Sequence, residues 1–518
     1  MSRQFDLNDP SVVVVIGSGA GGGVLANELA QQGIDVVCLE AGKRLKMTDI
    51  VNDPAAMFGK VTWLDPREGS GDISRNFPTY LCKTVGGTTV HWTALSLRMA
   101  PHEITPLSTY GKIVGTSMID WPISYQELDP YYSKAELKMG VSGTHGLPLH
   151  PANNNFLVMK AGAEKLGYKD ITTTHSAINS ISRDGRSKCL QLGFCKSGCI
   201  VGAKWSTLYT EIPKAEETEH FEIRPESMVL RIEHDQYGKI NGVVYVDNSG
   251  VTYEQKARTV CVAGNSIETP RLLLNSESSL FPDGIGNGSG NVGRHYMKHV
   301  FARLLALMPG KVNMQRGIQQ SGSLEHEAGH EPSRNFASGY HIETAPVHPE
   351  MLAKSLSNTD WGADYASLIE QYPYFAGALI CGEDFSFANN RITLHNNRKD
   401  KYGLPIPVLN YKDSDNNRAM REHAIKTTTA MYEAVGAKKV FHVPMLTAAH
   451  NMGTCRMAET ETDGVCDKWG RVFGVNNLFI SDGSQFSSAM TANPTLTIVA
   501  LAIRQAEYIQ EQLGKGNL

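Results

Sequence analysis

Three cysteines stand within eleven residues of one another and could together hold a metal centre. Cys189, Cys195 and Cys199 form the pattern C-x5-C-x3-C in a loop that also carries glycines. Thiolates are soft ligands that suit zinc and iron-sulfur clusters. A structural zinc ion takes four protein ligands, and no fourth ligand stands nearby at the usual spacing. The triad therefore favours an iron-sulfur cluster with one corner missing, or with a non-cysteine ligand there, over three unrelated buried thiols.

A glycine-rich turn near the start of the chain could bind the pyrophosphate of a dinucleotide. Gly17, Gly19 and Gly22 form the pattern G-x-G-x-x-G. The turn directly follows residues 12–16, an apolar run typical of a buried parallel strand. A helix and a second apolar strand come next, and that strand ends at Glu40, the acid expected to bind the ribose hydroxyls. The whole pattern predicts a bound dinucleotide rather than an ordinary turn in an α/β domain.

A second glycine signal stands at Gly86, Gly87 and Thr88, and it is followed by His91 and Trp92. Glycines let the backbone approach a ligand closely, because they have no side chain to intervene. Two glycines and hydroxyl side chains beside a histidine and a tryptophan suit the surroundings of a ring system. Taken alone, this stretch fits an ordinary turn equally well.

Length and composition limit the classes of protein to consider. A chain of 518 residues exceeds what one hydrophobic core usually holds, so we expect two lobes. The net charge is −4, with acids and bases interspersed, which excludes the basic stripe of a nucleic-acid-binding protein. No apolar run approaches the roughly 20 residues that span a bilayer, and residues 1–6 lack the apolar core of a signal peptide.

Taken together, the two glycine motifs resemble those of the glucose-methanol-choline (GMC) oxidoreductases. Residues 120–132, 259–274 and 292–299 also resemble segments of that family, and the likeness extends over residues 11 to 512. It implies FAD as cofactor and an α/β fold, α+β overall, with a Rossmann-like FAD-binding lobe and a substrate lobe of antiparallel sheet and helices. The implied FAD-binding lobe is discontinuous (1–100, 215–305 and 440–518), and the substrate lobe (101–214 and 306–439) includes the cysteine loop 189–199.

The resemblance assigns roles to several residues near the C-terminus. His450 matches the family's catalytic base and Asn493 the second residue that holds the substrate hydroxyl. A neutral histidine can accept the hydroxyl proton while the C–H hydride leaves, and an amide can polarise the same oxygen. The family likeness further implies FAD contacts, which fall at Asp482, Gly483 and Pro494, and at the glycine motifs named above. For an isolated histidine a structural role would be favoured, but the paired motif reverses that preference.

His91 has two interpretations. In pyranose oxidases a histidine in a similar stretch carries the flavin covalently, whereas related sugar dehydrogenases do not need that bond. The alternative is a residue that packs behind the flavin. His295 and His299, in the segment 292–299, are interpreted as scaffold rather than as ligands.

The cysteine loop limits the resemblance to one group within the family. It is similar to the loop that holds a 3Fe-4S iron-sulfur cluster in the catalytic subunits of bacterial FAD-dependent dehydrogenases of glucose, glucosides, gluconate or polyols. This implies oxidation of a pyranose hydroxyl, with glucose or a glucoside favoured and C1, C2 and C3 all open. Electrons would then pass through the cluster to a multihaem cytochrome c. A small chaperone-like subunit that carries the export signal would bring the chain to the periplasm, with the cytoplasm as the alternative.

Three other functions stay open. A pyranose-oxidase-like enzyme would use oxygen and would not need the cysteine triad, and a gluconate or polyol dehydrogenase would keep every motif. A non-catalytic electron-transfer flavoprotein would not need His450 with Asn493.

Several predictions concern the substrate lobe. Residues 315–358 are polar and irregular and are expected to form a mobile lid. Residues 374–380, 391–395 and 406–411 are predicted strands of one antiparallel sheet, and residues 416–436 a long helix.

Overall fold

The computed structural model describes residues 3–357 and 361–518, and strands and helices alternate along much of that length. The strands are β1 (Val13–Ile16), β2 (Val36–Leu39), β3 (Glu68–Gly71), β4 (Phe221–Arg224), β5 (Met228–His234), β6 (Ile240–Val246), β7 (Thr252–Lys256), β8 (Thr259–Val262), β9 (Met297–Lys298), β10 (Val300–Leu307), β11 (Ser323–Leu324), β12 (Tyr340–Thr344), β13 (Phe375–Gly382), β14 (Arg391–Lys399), β15 (Pro405–Tyr411), β16 (Lys439–Val443), β17 (Asn451–Met452) and β18 (Leu478–Ile480). The α-helices are α1 (Ala20–Gln31), α2 (Pro54–Val61), α3 (Pro106–Tyr110), α4 (Tyr125–Met139), α5 (Asn154–Lys165), α6 (Glu211–Glu216), α7 (Asn265–Asn275), α8 (Pro349–Leu356), α9 (Gly362–Glu370), α10 (Asp415–Ala434) and α11 (Thr495–Gly514).

A five-stranded parallel sheet carries the first glycine motif. Its strand order is β18-β8-β1-β2-β4, and every neighbouring pair is parallel. β1, β2 and β8 are buried along their whole length, which explains why they are almost continuously apolar in sequence. The helices α1 and α11 pack against each other beside this sheet. The α/β class and the nucleotide-binding unit predicted from the sequence are confirmed.

An antiparallel sheet forms the second layer around the site. Its order is β11-β12-β13-β10-β16, with β10 and β13 paired over eight residues. The helix α10 packs on β10 and β13 and also on α5. Both central strands are fully buried, because the helices cover one face and the functional cavity lies against the other.

The predicted substrate-lobe sheet needs correction. β13 belongs to the five-stranded antiparallel sheet, but β14 and β15 pair with each other and, through β15, with β3 in a separate three-stranded sheet. The three segments have the same strand pattern in sequence, and such a pattern does not specify which strands pair. The predicted long helix is present as α10.

The irregular lid predicted over residues 315–358 is wrong for its middle part. Tyr340–Thr344 is the fully buried strand β12, and α8 follows it. The strand appears polar in sequence because it contains a histidine and a glutamate that bind each other inside the protein. Asn358, the last residue of the predicted lid, lies outside the described residues.

Buried apolar side chains form one large cluster around the parallel sheet and a second around β10, β12, β13 and α10. Among the described helices, none combines the length and the apolar character that crossing a membrane requires.

Candidate active site

A cavity of about 1150 Å³ opens between the parallel and the antiparallel sheet. It is larger than a typical small-molecule pocket and has room for a dinucleotide together with a substrate. Its walls come from the first glycine turn, the segment 87–93, the inner face of β10 and β13, and the start of α11.

The glycine turn fits a cofactor because its backbone leaves no room for side chains. Gly17 has φ +97°, and a Cβ there would lie 2.5 Å from the carbonyl oxygen of Ala263. Gly19 caps the N-terminus of α1, where backbone N–H groups and the helix dipole favour a phosphate. Gly22 is buried in α1, and a Cβ there would lie 2.0 Å from the carbonyl oxygen of Gly17.

The second glycine segment lies directly against the first. A Cβ on Gly87 would lie 2.9 Å from Cα of Gly19, so the two backbones touch. The backbone N–H of Gly86 donates to Oγ of Ser18 over 3.0 Å. Thr88 lines the cavity, and its hydroxyl accepts from the backbone N–H of Cys82 over 3.4 Å. Two stretches that are far apart in sequence therefore form one cradle.

Glu40 and Asp482, the two acids assigned to the cofactor, accept hydrogen bonds from other parts of the protein. One oxygen of Glu40 accepts from the backbone N–H and the hydroxyl of Ser18, and the other accepts from the N–H of Gly42. Asp482 accepts from the hydroxyl of Thr269 over 2.6 Å and so ties the end of β18 to α7. Burial raises the pKa of both carboxyls. Gly483 and Pro494 also line the cavity.

His91 lies in the cavity wall beside the second glycine segment. Its ring contacts that of Tyr80, with 4.2 Å between centroids. Burial and then the charges of Lys196 and Lys204 hold the pKa of His91 well below its usual range, so the ring is neutral. Its Nδ1 is buried and has no hydrogen-bond partner among the described residues. Both interpretations of His91, as flavin attachment point and as packing residue, fit this position.

His450 and His299 form a hydrogen-bonded pair that fixes the tautomer of each ring. Their Nδ1 atoms are 2.9 Å apart, and Nε2 of His299 lies 3.3 Å from the carbonyl oxygen of Ala489. A carbonyl oxygen only accepts, so Nε2 of His299 carries the hydrogen and its Nδ1 is the acceptor. Nδ1 of His450 must then donate, which leaves Nε2 of His450 as an unprotonated lone pair. His299, interpreted from sequence as scaffold, orients the proposed base directly.

Burial lowers the pKa of His450 to about 4, and it lowers that of His299 as well. Both rings are therefore neutral near neutral pH. Phe301 packs against both histidines, with 5.2 Å between its ring centroid and that of His450 and 5.9 Å to that of His299.

Asn493 is held by a buried carboxylate. Its Nδ2 donates to Oε1 of Glu343 over 2.9 Å, and its Oδ1 has no partner among the described residues. Glu343 is completely buried, and its Oε1 also accepts from Nε2 of His341 over 2.8 Å. The amide of Gln320 donates to the other oxygen of Glu343. Because a carboxylate only accepts, this contact sets the orientation of the Asn493 amide.

The pair of Glu343 and His341 is ionised. Burial alone would favour the neutral forms, but the hydrogen bond and the opposite charge outweigh it, so the pKa of His341 is raised and that of Glu343 is lowered. Sequence reasoning missed this pair and also Cys381, whose thiol lies 3.5 Å from Glu343. A possible strand signal was the alternation of larger apolar and polar side chains over Tyr340–Thr344.

The cysteine loop lies next to residues 86–93, which the family resemblance places beside the flavin and which are called the flavin-side segment below. Cys189, Cys195 and Cys199 line a separate small cavity of about 40 Å³ and are partly buried. Groups of three His, Cys, Asp or Glu side chains with ligand atoms within 4.8 Å of one another occur twice in the described chain, and the cysteine triad is not one of them. At least two of the three sulfur atoms are therefore more than 4.8 Å apart.

Lys204 connects the cysteine loop to the flavin-side segment. Its ammonium is almost completely buried and donates to the carbonyl oxygens of Val90 at 2.9 Å, Trp92 at 2.7 Å and Cys195 at 2.6 Å. The side chain of Lys204 thus joins the backbone on both sides of His91 to the loop that carries the three cysteines.

Family models described as GMC oxidoreductase match residues 14–301 and 386–502, which contain both glycine motifs and the pair of His450 and Asn493. The chain belongs to the GMC oxidoreductase family. It is an FAD-dependent oxidoreductase that acts on CH–OH groups, as its sequence predicts. The glycine cradle, where added Cβ atoms would clash with backbone, fits that cofactor.

Two relatives in this GMC family match almost the whole chain. The 2-methyl-1,2-propanediol dehydrogenase of Mycolicibacterium austroafricanum is 31% identical, over 97% of this chain and 96% of its own length. The fructose dehydrogenase large subunit of Gluconobacter japonicus is 29% identical, over 97% and 98%. The solved structure of pyridoxine 4-oxidase from Mesorbium loti shares the fold, with a TM-score of 0.70, 17% identity, and coverage of 96% of this chain and 99% of that one.

Proposed function

We propose that this protein is a dehydrogenase that oxidises a ring hydroxyl of a pyranose, with glucose or a glucoside at C1 or C3 as the first candidates. One observation carries the proposal: the hydrogen-bonded pair leaves Nε2 of His450 unprotonated in the wall of the cavity that also holds the glycine cradle. FAD, when bound, supplies the acceptor for the hydride. The relatives that act on a diol and on fructose support a substrate with several hydroxyls.

His450 acts as the general base. Its Nε2 accepts the hydroxyl proton as the C–H bond breaks, and its Nδ1 continues to donate to His299. The imidazolium that forms is stabilised by the buried charge of Glu343, which is the largest effect raising the pKa of His450.

Asn493 positions the substrate oxygen. The contact with Glu343 uses one amide hydrogen, which leaves the second hydrogen for the substrate. That hydrogen can donate to the oxygen on which negative charge develops.

Cys189, Cys195 and Cys199 would hold a 3Fe-4S iron-sulfur cluster, which supplies one-electron transfer to an external acceptor. The donor set of three thiols that line one small cavity supports this assignment. The position of Lys204 between the loop and the flavin-side segment supports it as well. The proposal also includes a cytochrome c as electron acceptor and a small export subunit that delivers the chain to the periplasm. The fructose dehydrogenase relative is named a large subunit, which is consistent with such partners.

Low-temperature EPR of the holoenzyme purified in air, together with an iron assay, tests this function. We expect the EPR signal of an oxidised three-iron cluster and an iron content of about three per flavin. The Cys195→Ser variant should lose both the signal and the iron. Cys261→Ala is the control, because Cys261 is buried in β8 away from the triad, and it should keep the iron.

The alternatives give different results. A yellow protein without iron that makes peroxide from sugar would be an oxidase of the pyranose-oxidase type, and the triad would then be structural. An electron-transfer flavoprotein would show no reduction of its flavin by any sugar or polyol.

A further inference from the structure

The substrate side of the cavity contains two basic side chains that form no ion pair among the described residues. Arg303 on β10 and Lys196 in the cysteine loop both line the cavity, and neither forms an ion pair or a side-chain hydrogen bond with another described residue. Arg303 is only 9% exposed, and its Nε is buried without a partner in the part of the chain that the structure describes.

The acids that line or approach this cavity have other partners. Glu40 and Asp482 accept from backbone N–H and hydroxyl groups, and Glu268 binds two arginines. Glu343 forms hydrogen bonds with His341 and Asn493, and its charge also raises the pKa of Lys196 without a hydrogen bond between the two. Glu350 is exposed on α8. Burial alone lowers the pKa of Arg303, and no neighbouring carboxylate raises it.

The position of Arg303 relates it to the reacting hydroxyl. Side chains two residues apart on a strand point to the same face, about 7 Å from each other. Phe301 and Arg303 have this relation on β10, and Phe301 packs on His450. The guanidinium thus lies along the same wall as the base, at a distance that a polyhydroxy chain can bridge.

An unpaired buried cation is costly unless a ligand brings the opposite charge. The cofactor pyrophosphate does not serve, because the glycine cradle lies at the N-terminus of α1, in the other sheet layer. A guanidinium is matched geometrically by a carboxylate, which can accept two parallel N–H bonds.

We propose that Arg303 and Lys196 form a subsite for the carboxylate of an anionic polyhydroxy substrate, such as an aldonate or a uronate, whose hydroxyl is presented to His450. The inference rests on the proposed function in one respect, the role of His450 as the base. It replaces the neutral pyranose named there by an anionic polyhydroxy substrate, either a ring or an open chain.

The test compares D-gluconate with D-glucitol, which differ in the carboxylate, using the rate of flavin reduction in the holoenzyme. We expect gluconate to have at least a 10-fold higher kcat/KM. Arg303→Gln should lower the kcat/KM for gluconate by roughly 10- to 100-fold, mainly through KM, and Arg303→Lys should recover part of the loss. Arg316→Gln removes the same charge from an exposed position outside the cavity and should leave gluconate kinetics unchanged.

Equal or better turnover of glucitol, or an equal loss for both substrates in Arg303→Gln, would overturn the subsite. If Arg303→Gln does not fold, Lys196→Gln gives the same test. Titration of the oxidised holoenzyme with gluconate, followed by its visible spectrum, separates this inference from the proposed function. Binding that weakens in Lys196→Gln without any turnover would sustain the subsite and reject the dehydrogenase assignment.

Discussion

The two sides of the cavity recognise their ligands with different parts of the chain. On the parallel-sheet side the surface is backbone, and the acids Glu40 and Asp482 already have protein donors. On the antiparallel-sheet side, the side chains of His450, Asn493 and Arg303 line the cavity, and Asn493 and Arg303 each keep a polar atom without a partner among the described residues. We therefore expect the cofactor side to depend on the shape of the backbone, and the proposed substrate side to depend on a few side chains.

The largest effect is expected from Gly17→Ala. The change puts a Cβ 2.5 Å from a backbone oxygen and strains a positive φ, so the cradle must open and the purified protein should contain no FAD. Visible absorbance measures the flavin content. Gly250→Ala is the matched control, because φ is +84° there but nothing lies within 4 Å. It should cost about 1 kcal/mol of stability and keep the flavin. Full flavin content in Gly17→Ala would contradict a cofactor side built on backbone shape.

The second effect is chemical and belongs to the substrate side. His450→Ala should lower the rate of flavin reduction by about 10²- to 10⁴-fold and leave the flavin content unchanged, because only the base is lost. Rapid mixing with substrate under anaerobic conditions measures the rate. His442→Ala removes an exposed histidine and should have no effect. An unaltered rate in His450→Ala would mean that another group accepts the proton.

A smaller effect is expected at Glu343, which binds the proposed substrate-binding residue Asn493. Glu343→Gln should lower kcat by about 10- to 100-fold, since glutamine has no negative charge to stabilise His341 and its NH₂ group cannot accept from Gln320. Glu383→Gln is the control. Burial and the charge of Glu103 raise the pKa of Glu383 to about 8, so it is already protonated at neutral pH. Equal activities of the two variants would show that Glu343 only fills space.

The smallest effect is the pH dependence. Because burial lowers the pKa of His450 to about 4, the neutral base predominates at every pH above that value. The rate of flavin reduction should be constant between about pH 6 and 8 and fall about tenfold per unit below pH 4. Stopped-flow rates across this range give the midpoint. A midpoint near the ordinary histidine value of about 6.5 would place the base in contact with water.

The sequence predicts the cofactor side well because its signals are local. The glycines of the first turn, the buried strands and Glu40 lie within one short stretch, where spacing specifies geometry directly. His450 and Asn493 were assigned through the resemblance, and their spacing alone would not have singled them out.

The substrate side was harder to predict because its contacts join distant segments. His341 and Glu343 lie on a strand whose charged residues satisfy each other, so hydropathy alone suggested a solvent-exposed loop. His299 reaches His450 across 151 residues of sequence. Neither strand pairing nor a tautomer fixed by a remote carbonyl oxygen can be deduced from periodicity.

The ammonium of Lys204 has a consequence for the maturation of the enzyme. It needs acceptors from the flavin-side segment and from the cysteine loop at the same time, and a buried charge that loses one of them is left short of partners. Ordering one loop therefore favours ordering the other. We therefore expect the FAD site and the cluster site proposed for the cysteine loop to be filled cooperatively during assembly, and a chain that fails to complete one of them to hold the other group loosely.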